Sequence, residues 1–125
     1  MVKTILSLLI ATALLAGAAI FESYFVQNKF EKMEVALLAL EDKVRVGEAH
    51  RTDAEVVKTL WDDEKRKLHA VIPHNDISYI DYWLGEAVSY VETKHYDDAL
   101  SKIEVLLTIC EQIPKTYSIS FENVF

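Results

Sequence analysis

Apolar residues fill one unbroken block at the start of the chain and then settle into a helical rhythm. Thr4 to Phe21 contains eighteen consecutive uncharged residues, most of them Leu, Ile or Ala. A helix of this composition is apolar on every side and has no polar face to turn to water. At 1.5 Å rise per residue it covers about 27 Å, close to the ~30 Å hydrocarbon core of a bilayer. Past it, Val26, Phe30, Met33, Leu37, Leu40 and Val44 recur at spacings of four and three, the pattern of a heptad seam. Gly47 supplies a helix stop. The first helix is therefore predicted to run from the apolar block to about Val46.

Three more helices follow from the same periodicity. Thr52-Asp53-Ala54-Glu55 matches a capping box and opens a helix with Val56, Val57, Leu60, Trp61, Leu68 and Val71 on a broad apolar face, ended by Pro73. Between those positions Asp62 to Lys67 mixes charge signs at i, i+3 and i+4, as a solvated face does. Asn75 or Asp76 can cap a third helix carrying Ile77, Ile80, Leu84, Ala87 and Val91, with Trp83 beside them. After a link at Lys94-His95, Asp97 can cap a fourth with Tyr96, Ala99, Ile103, Leu106, Cys110 and Ile113, closed by Pro114. Links of two to seven residues place consecutive helices antiparallel. The expected fold is all-α: an N-terminal transmembrane or signal-anchor helix continuing into an antiparallel bundle of about four helices. The chain divides into an anchor or signal segment at 1–25, the bundle at 26–113 and an apolar tail at 114–125. Tyr117, Ile119, Phe121, Val124 and Phe125 make that tail either a strap packed on the bundle or a docking peptide.

The apolar block has two main readings. A short basic start, an eleven-residue apolar run and Ala16-Gly17-Ala18 fit a cleaved signal peptide. Phe21, Tyr24 and Phe25, at the position of an interfacial aromatic belt, favour an uncleaved anchor inserted through residues 4–21. A buried soluble helix is the third option. Lys3 before the block stands against Lys29 and Lys32 after it, so positive charge says little about orientation. A short N-terminal tail points to a cytoplasmic N-terminus with the body outside, at the cell membrane.

Charge narrows the function. Thirteen Lys and Arg stand against twenty Asp and Glu, a net −7. Lys3 alone precedes residue 22 while every acid follows it, so the rest of the chain carries twelve against twenty, −8. Such a body lacks the basic face that nucleic acid requires. One cysteine, three glycines and two prolines exclude a disulfide framework, a cysteine zinc site and glycine-rich phosphate loops. His69 and His74 straddle Pro73, and His74 and His95 belong at opposite ends of the third helix, so no metal set converges. Cys110 lies on a core seam, where a thiol is inert. Neither an enzyme nor a cofactor is expected.

The order of these features resembles one known family. Its marks are the apolar anchor, the Phe/Glu/Tyr-rich juxtamembrane segment, Trp61 in a charged helix, Ile72-Pro73-His74-Asn75-Asp76-Ile77-Ser78-Tyr79-Ile80-Asp81, Tyr96-Asp97-Asp98-Ala99-Leu100, and an ending at Ile113-Pro114 followed by Phe121-Glu122-Asn123-Val124-Phe125. They resemble the bacterial domain-of-unknown-function 4363 family, and the likeness covers nearly the whole chain. The resemblance implies a small membrane-anchored protein of Gram-positive lineages, accompanying small multi-pass membrane proteins, with no established activity.

The expected role is a membrane-anchored, non-enzymatic helical interaction or accessory module at the cell envelope, meeting another membrane protein or a second copy of itself. The alternative is a small-ligand or metal sensor on a membrane stalk. Tyr79, Tyr82, Trp83, Phe121 and Phe125 are the candidate partner-binding residues, because exposed aromatics dominate interface energetics. The eight acids between Asp76 and Glu111, against Lys94 and Lys102, form either a solvated face or one that meets a cationic partner.

Overall fold

A computed structural model of the chain describes residues 1–116. It contains four helices: α1 (Val2–Arg45), α2 (Arg51–Leu68), α3 (His74–Glu92) and α4 (Tyr96–Thr116). Each packs against its chain neighbours, and α4 closes the ring on α1. Interhelix pairs run antiparallel throughout: Lys29 with Glu64 and Lys43 with Asp53 across α1/α2, Arg51 with Glu92 and Lys65 with Asp81 across α2/α3. The result is an up-down-up-down bundle with α1 and α3 on its diagonal.

α1 is continuous for 44 residues, about 66 Å at 1.5 Å per residue. Its apolar block lies wholly outside the bundle, and none of the described residues covers it. Burial begins at Val26, and every position of the predicted seam is at most 2% exposed. That seam is spent on α2 and α4 of the same chain, which face it from either side. Phe30 and Trp61 meet at 6.2 Å between ring centroids. The indole of Trp61 donates to Asp81 at 2.6 Å, and Lys65 reaches the same carboxylate at 3.2 Å, so a buried ring ties α2 to α3 through a polar rim. Leu68, Ile80, Leu84, Ile103 and Leu106 complete a core in which Cys110 occupies the predicted seam position.

Several helix ends differ from expectation. α2 starts at Arg51, one residue before Thr52, because the carboxylate of Asp53 accepts from the His50 backbone N–H at 2.8 Å and from Lys43 at 2.6 Å. The Lys43 bond, with the backbone bond behind it, holds Asp53 below the usual carboxylate range. α2 stops at Leu68, and Pro73 serves as the N-cap of α3 in place of Asn75 or Asp76. α4 starts at Tyr96, ahead of Asp97, and runs through Pro114 to Thr116. Residues 114–116 of the predicted 114–125 tail therefore continue α4, and the remainder, 117–125, lies outside the described residues. Val56, expected in the core, is 66% exposed, since α2 turns only the Val57–Trp61–Leu68 edge inward.

Two turns at the end far from the apolar block share one geometry. After α1, Glu48 N–H bonds to Lys43 C=O and Gly47 N–H to Val44 C=O, with Gly47 at φ +73°. After α3, His95 N–H bonds to Tyr90 C=O and Lys94 N–H to Val91 C=O, with Lys94 at φ +60°. Both are Schellman closures, whose left-handed position suits glycine. Tyr96 locks the two turns together by donating to the Ala49 carbonyl at 2.9 Å. A left-handed lysine costs about 1–2 kcal/mol, partly offset by glycine's greater chain entropy. Lys94→Gly is expected to stabilise the bundle by about 0.5–1 kcal/mol, a rise of a few degrees in Tm; an unchanged or lower Tm by circular dichroism in mild detergent refutes this.

The near end holds a buried ion pair. Glu64 is 2% and Lys29 9% exposed, with Nζ 3.3 Å from Oε2 and 5.3 Å from the Phe25 ring centroid. Removing one partner of such a pair strands a buried charge at about 3–5 kcal/mol, whereas apolar replacement of both is near neutral. Lys29→Met is expected to lower Tm sharply, and Lys29→Met/Glu64→Leu to restore it. Additive losses in the double variant would show the pair to be uncoupled.

Candidate functional site

α3 turns its Ile77–Ile80–Leu84–Val91 face inward, so the residues a quarter to a half turn away line the outside and the α4 border. Tyr79 and Tyr82 are 55% and 60% exposed, and Trp83 is half-buried between them. Both tyrosines meet the indole edge-on, at 6.1 Å and 5.5 Å between centroids. α4 supplies Lys102, whose ammonium sits 4.7 Å from the Trp83 ring centroid and 3.2 Å from Glu86. Such a cation over an aromatic face contributes about 0.5–1 kcal/mol at an exposed site. Glu86 also holds the Tyr82 phenol above its ordinary range, by hydrogen bond and by charge.

The Trp83 Nε1 atom is shielded from water and has no hydrogen-bond partner among the described residues. Leaving a donor unsatisfied costs about 1–3 kcal/mol. The structure thus brings Tyr79, Tyr82 and Trp83 into one cluster, whereas Phe121 and Phe125 lie outside the described residues. Lys102 and Glu86 enter the sequence reading only as part of the acidic stretch, not as members of the aromatic cluster. Glu86 stands one turn from Trp83 and was legible; Lys102 reaches the ring only through helix pairing.

The acidic stretch is largely accounted for within the chain. Asp81, Glu86, Glu92, Glu104 and Glu111 each pair with a base: Lys65, Lys102, Arg51, Arg45 and Lys115. Asp76, Asp97 and Asp98 occupy first helical turns, where the helix dipole favours them. Among the described residues no group of three His, Cys, Asp or Glu is arranged to hold a metal. His69 and His74 do come together across the α2–α3 turn, their rings stacked at 5.9 Å, with Ser78 3.3 Å from His74 Nε2. Cys110 is 1% exposed, and burial, reinforced by Glu34, pushes its thiol up to about 12.

A cleft of about 230 Å³ lies between α1 and α4, lined by Phe30, Glu31, Glu34, Cys110 and Glu111 among others. Ordinary ligand sites enclose about 300–1,000 Å³. Two larger depressions, on the outside of α1 and α2, are open furrows.

Higher on the same border, Glu41 is 8% exposed with Oε2 unpartnered, and Arg45 lies 3.4 Å from Glu41 and 3.3 Å from Glu104. Burial pushes the Glu41 carboxyl above its usual range, and sharing a proton with Glu104 acts in the same direction against the pull of Arg45. A carboxyl raised on folding favours the folded state below its unfolded pKa. That contribution is lost as pH rises through the interval up to the folded value. Glu41→Gln is therefore expected to raise Tm at pH 7, with the gap over the parent closing toward pH 4. A constant gap across that range contradicts the assignment.

The class is an all-α four-helix bundle extended by a long apolar N-terminal helix. Residues 20–124 match the domain of unknown function DUF4363, and the chain belongs to that family. No curated protein and no solved structure matches it.

Proposed function

We propose that the protein is a membrane-anchored, non-enzymatic interaction module that presents the α3 aromatic cluster to another protein of the cell envelope. The observation that carries this reading is the aromatic cluster: two exposed tyrosines set edge-on to a half-buried indole that Lys102 stiffens. A partner that covers the two exposed tyrosines and the open part of the indole gains their aromatic area, as interface hot spots do. Anchoring rests on the exposed apolar block and on its helix passing through the signal-type Ala16-Gly17-Ala18 without a break. On this reading residues 4–21 span the cell membrane once, the N-terminus is cytoplasmic and the bundle stands outside.

Two measurements test it. Intact mass of native protein from washed membranes is expected to show a chain that retains residues 1–21; a species beginning at Ala19 overturns the anchor. Proteins co-purified in mild detergent are expected to be lost from Tyr79→Ala/Tyr82→Ala and Trp83→Phe variants that melt like the parent. Undiminished recovery with folded variants moves the interface off α3.

A further inference from the structure

The outer face of α1 carries a second surface, with a different occupant. Val35 lies nine residues from both Val26 and Val44 and therefore faces directly away from the core at 100° per residue. It is 68% exposed, with Leu38 at 49% and Val46 at 66% on the same side. A furrow of about 530 Å³ runs beside them between α1 and α2, lined by Val35, Ala36, Ala39 and Leu60. Nothing within the described chain covers this strip.

We propose that this face pairs with the same face of a second copy of the chain, the two α1 helices running parallel. The proposal rests on reading residues 4–21 as a membrane span, because a shared bilayer forces two copies into the same direction and the same height. Three features then select a second copy. α1 is unbroken, so helical phase carries from the apolar block into the bundle. Gly17 precedes Val35 by eighteen residues, five full turns, so it falls on the same line. A side chain added at Gly17 meets nothing within 4 Å in one chain, and two such helices can approach closely there.

The strip is also complementary to itself. In a parallel two-fold pair, each flank of one helix meets the opposite flank of the other. Relative to Val35, Glu31 and Leu38 lie on one flank, Lys32 and Ala39 on the other. Glu31 therefore faces Lys32 of the second copy, and Leu38 faces its Ala39, a large side chain against a small one. Among the described residues neither Glu31 nor Lys32 has an ion-pair partner within the chain, so both charges are available to a neighbour. Val35 meets its own counterpart on the axis.

Cysteine cross-linking in native membranes tests the proposal with the full chain. Cys110 is buried and stays in place as background. Val35→Cys under mild oxidant is expected to give a disulfide-linked dimer, while Ser101→Cys on exposed α4 remains monomeric. Adding Lys32→Glu is expected to reduce the Val35→Cys dimer about two- to fivefold, the range of an exposed ion pair. Adding the swap Glu31→Lys/Lys32→Glu is expected to restore it. Membrane-retained Val35→Cys that cross-links no more than Ser101→Cys overturns the second copy and leaves the strip to another chain. Unchanged dimer with Lys32→Glu overturns the register. Protein recovered in the soluble fraction instead defeats the anchor itself, a result separable from both.

Discussion

The unbroken length of α1 governs everything else in this molecule. Because no glycine kink or proline divides Val2–Arg45, the apolar block and the bundle share one helical phase. The seam that starts at Val26 fixes which side of the helix α2 and α4 occupy, and hence which side is left bare. A flexible linker at residues 22–25 would have decoupled the two. With a rigid helix, rotation of the bundle about the stalk and rotation of the apolar segment are the same variable.

Polar groups set the register along that axis. Apolar seams tolerate sliding by a turn, since Leu, Ile and Val present similar surfaces at each layer. Lys29–Glu64, Trp61–Asp81 with Lys65, and Tyr96 with the Ala49 carbonyl do not. Each would lose its partner on a one-turn shift, and two involve groups buried too deeply for water to replace it. Buried ion pairs contribute little net stability, and fixing register is their best-attested use. Glu41 is matched less well: it is buried with Arg45 nearby but Oε2 has no hydrogen-bond partner among the described residues, so its charge strains the α1/α4 border.

The fold was legible where burial alone decides. Every predicted seam residue of α1, the inward set of α3 and the Ala99–Cys110 row of α4 are buried, because heptad spacing and one-sided burial are the same geometric fact. Helix ends were less legible. A side-chain box at Thr52 competes with one at His50, and only the position of Lys43 on another helix decides between them. Pro114 looked like a stop, yet a proline removes only its own N–H bond to the preceding turn, and α4 continues through it to Thr116. In the candidate site, Tyr79, Tyr82 and Trp83 were visible from spacing along one helix. The orphan indole N–H and the lysine over the ring were not, since both depend on how α4 lies against α3.

The diagonal arrangement constrains how the two outward surfaces can be used. α1 and α3 each touch α2 and α4, so their free faces point in opposite directions. A pair joined through α1 holds its two aromatic clusters on its far sides, too widely separated to grip one compact surface together. In the proposed pair each cluster would engage a separate partner, or a separate subunit of one assembly, on either side of the two-fold axis. All of these contacts lie at fixed height, because the stalk is helical. Tyr79 and Trp83 occupy the half of α3 nearer the apolar block, level with the Lys29–Met33 stretch of α1 by the antiparallel pairing. That is about 12–18 Å along the helix from Phe21, by rise per residue. On the proposed anchoring, a partner reaching them has to rise only a short distance from the bilayer, which favours the juxtamembrane loops of a membrane protein over a large soluble domain.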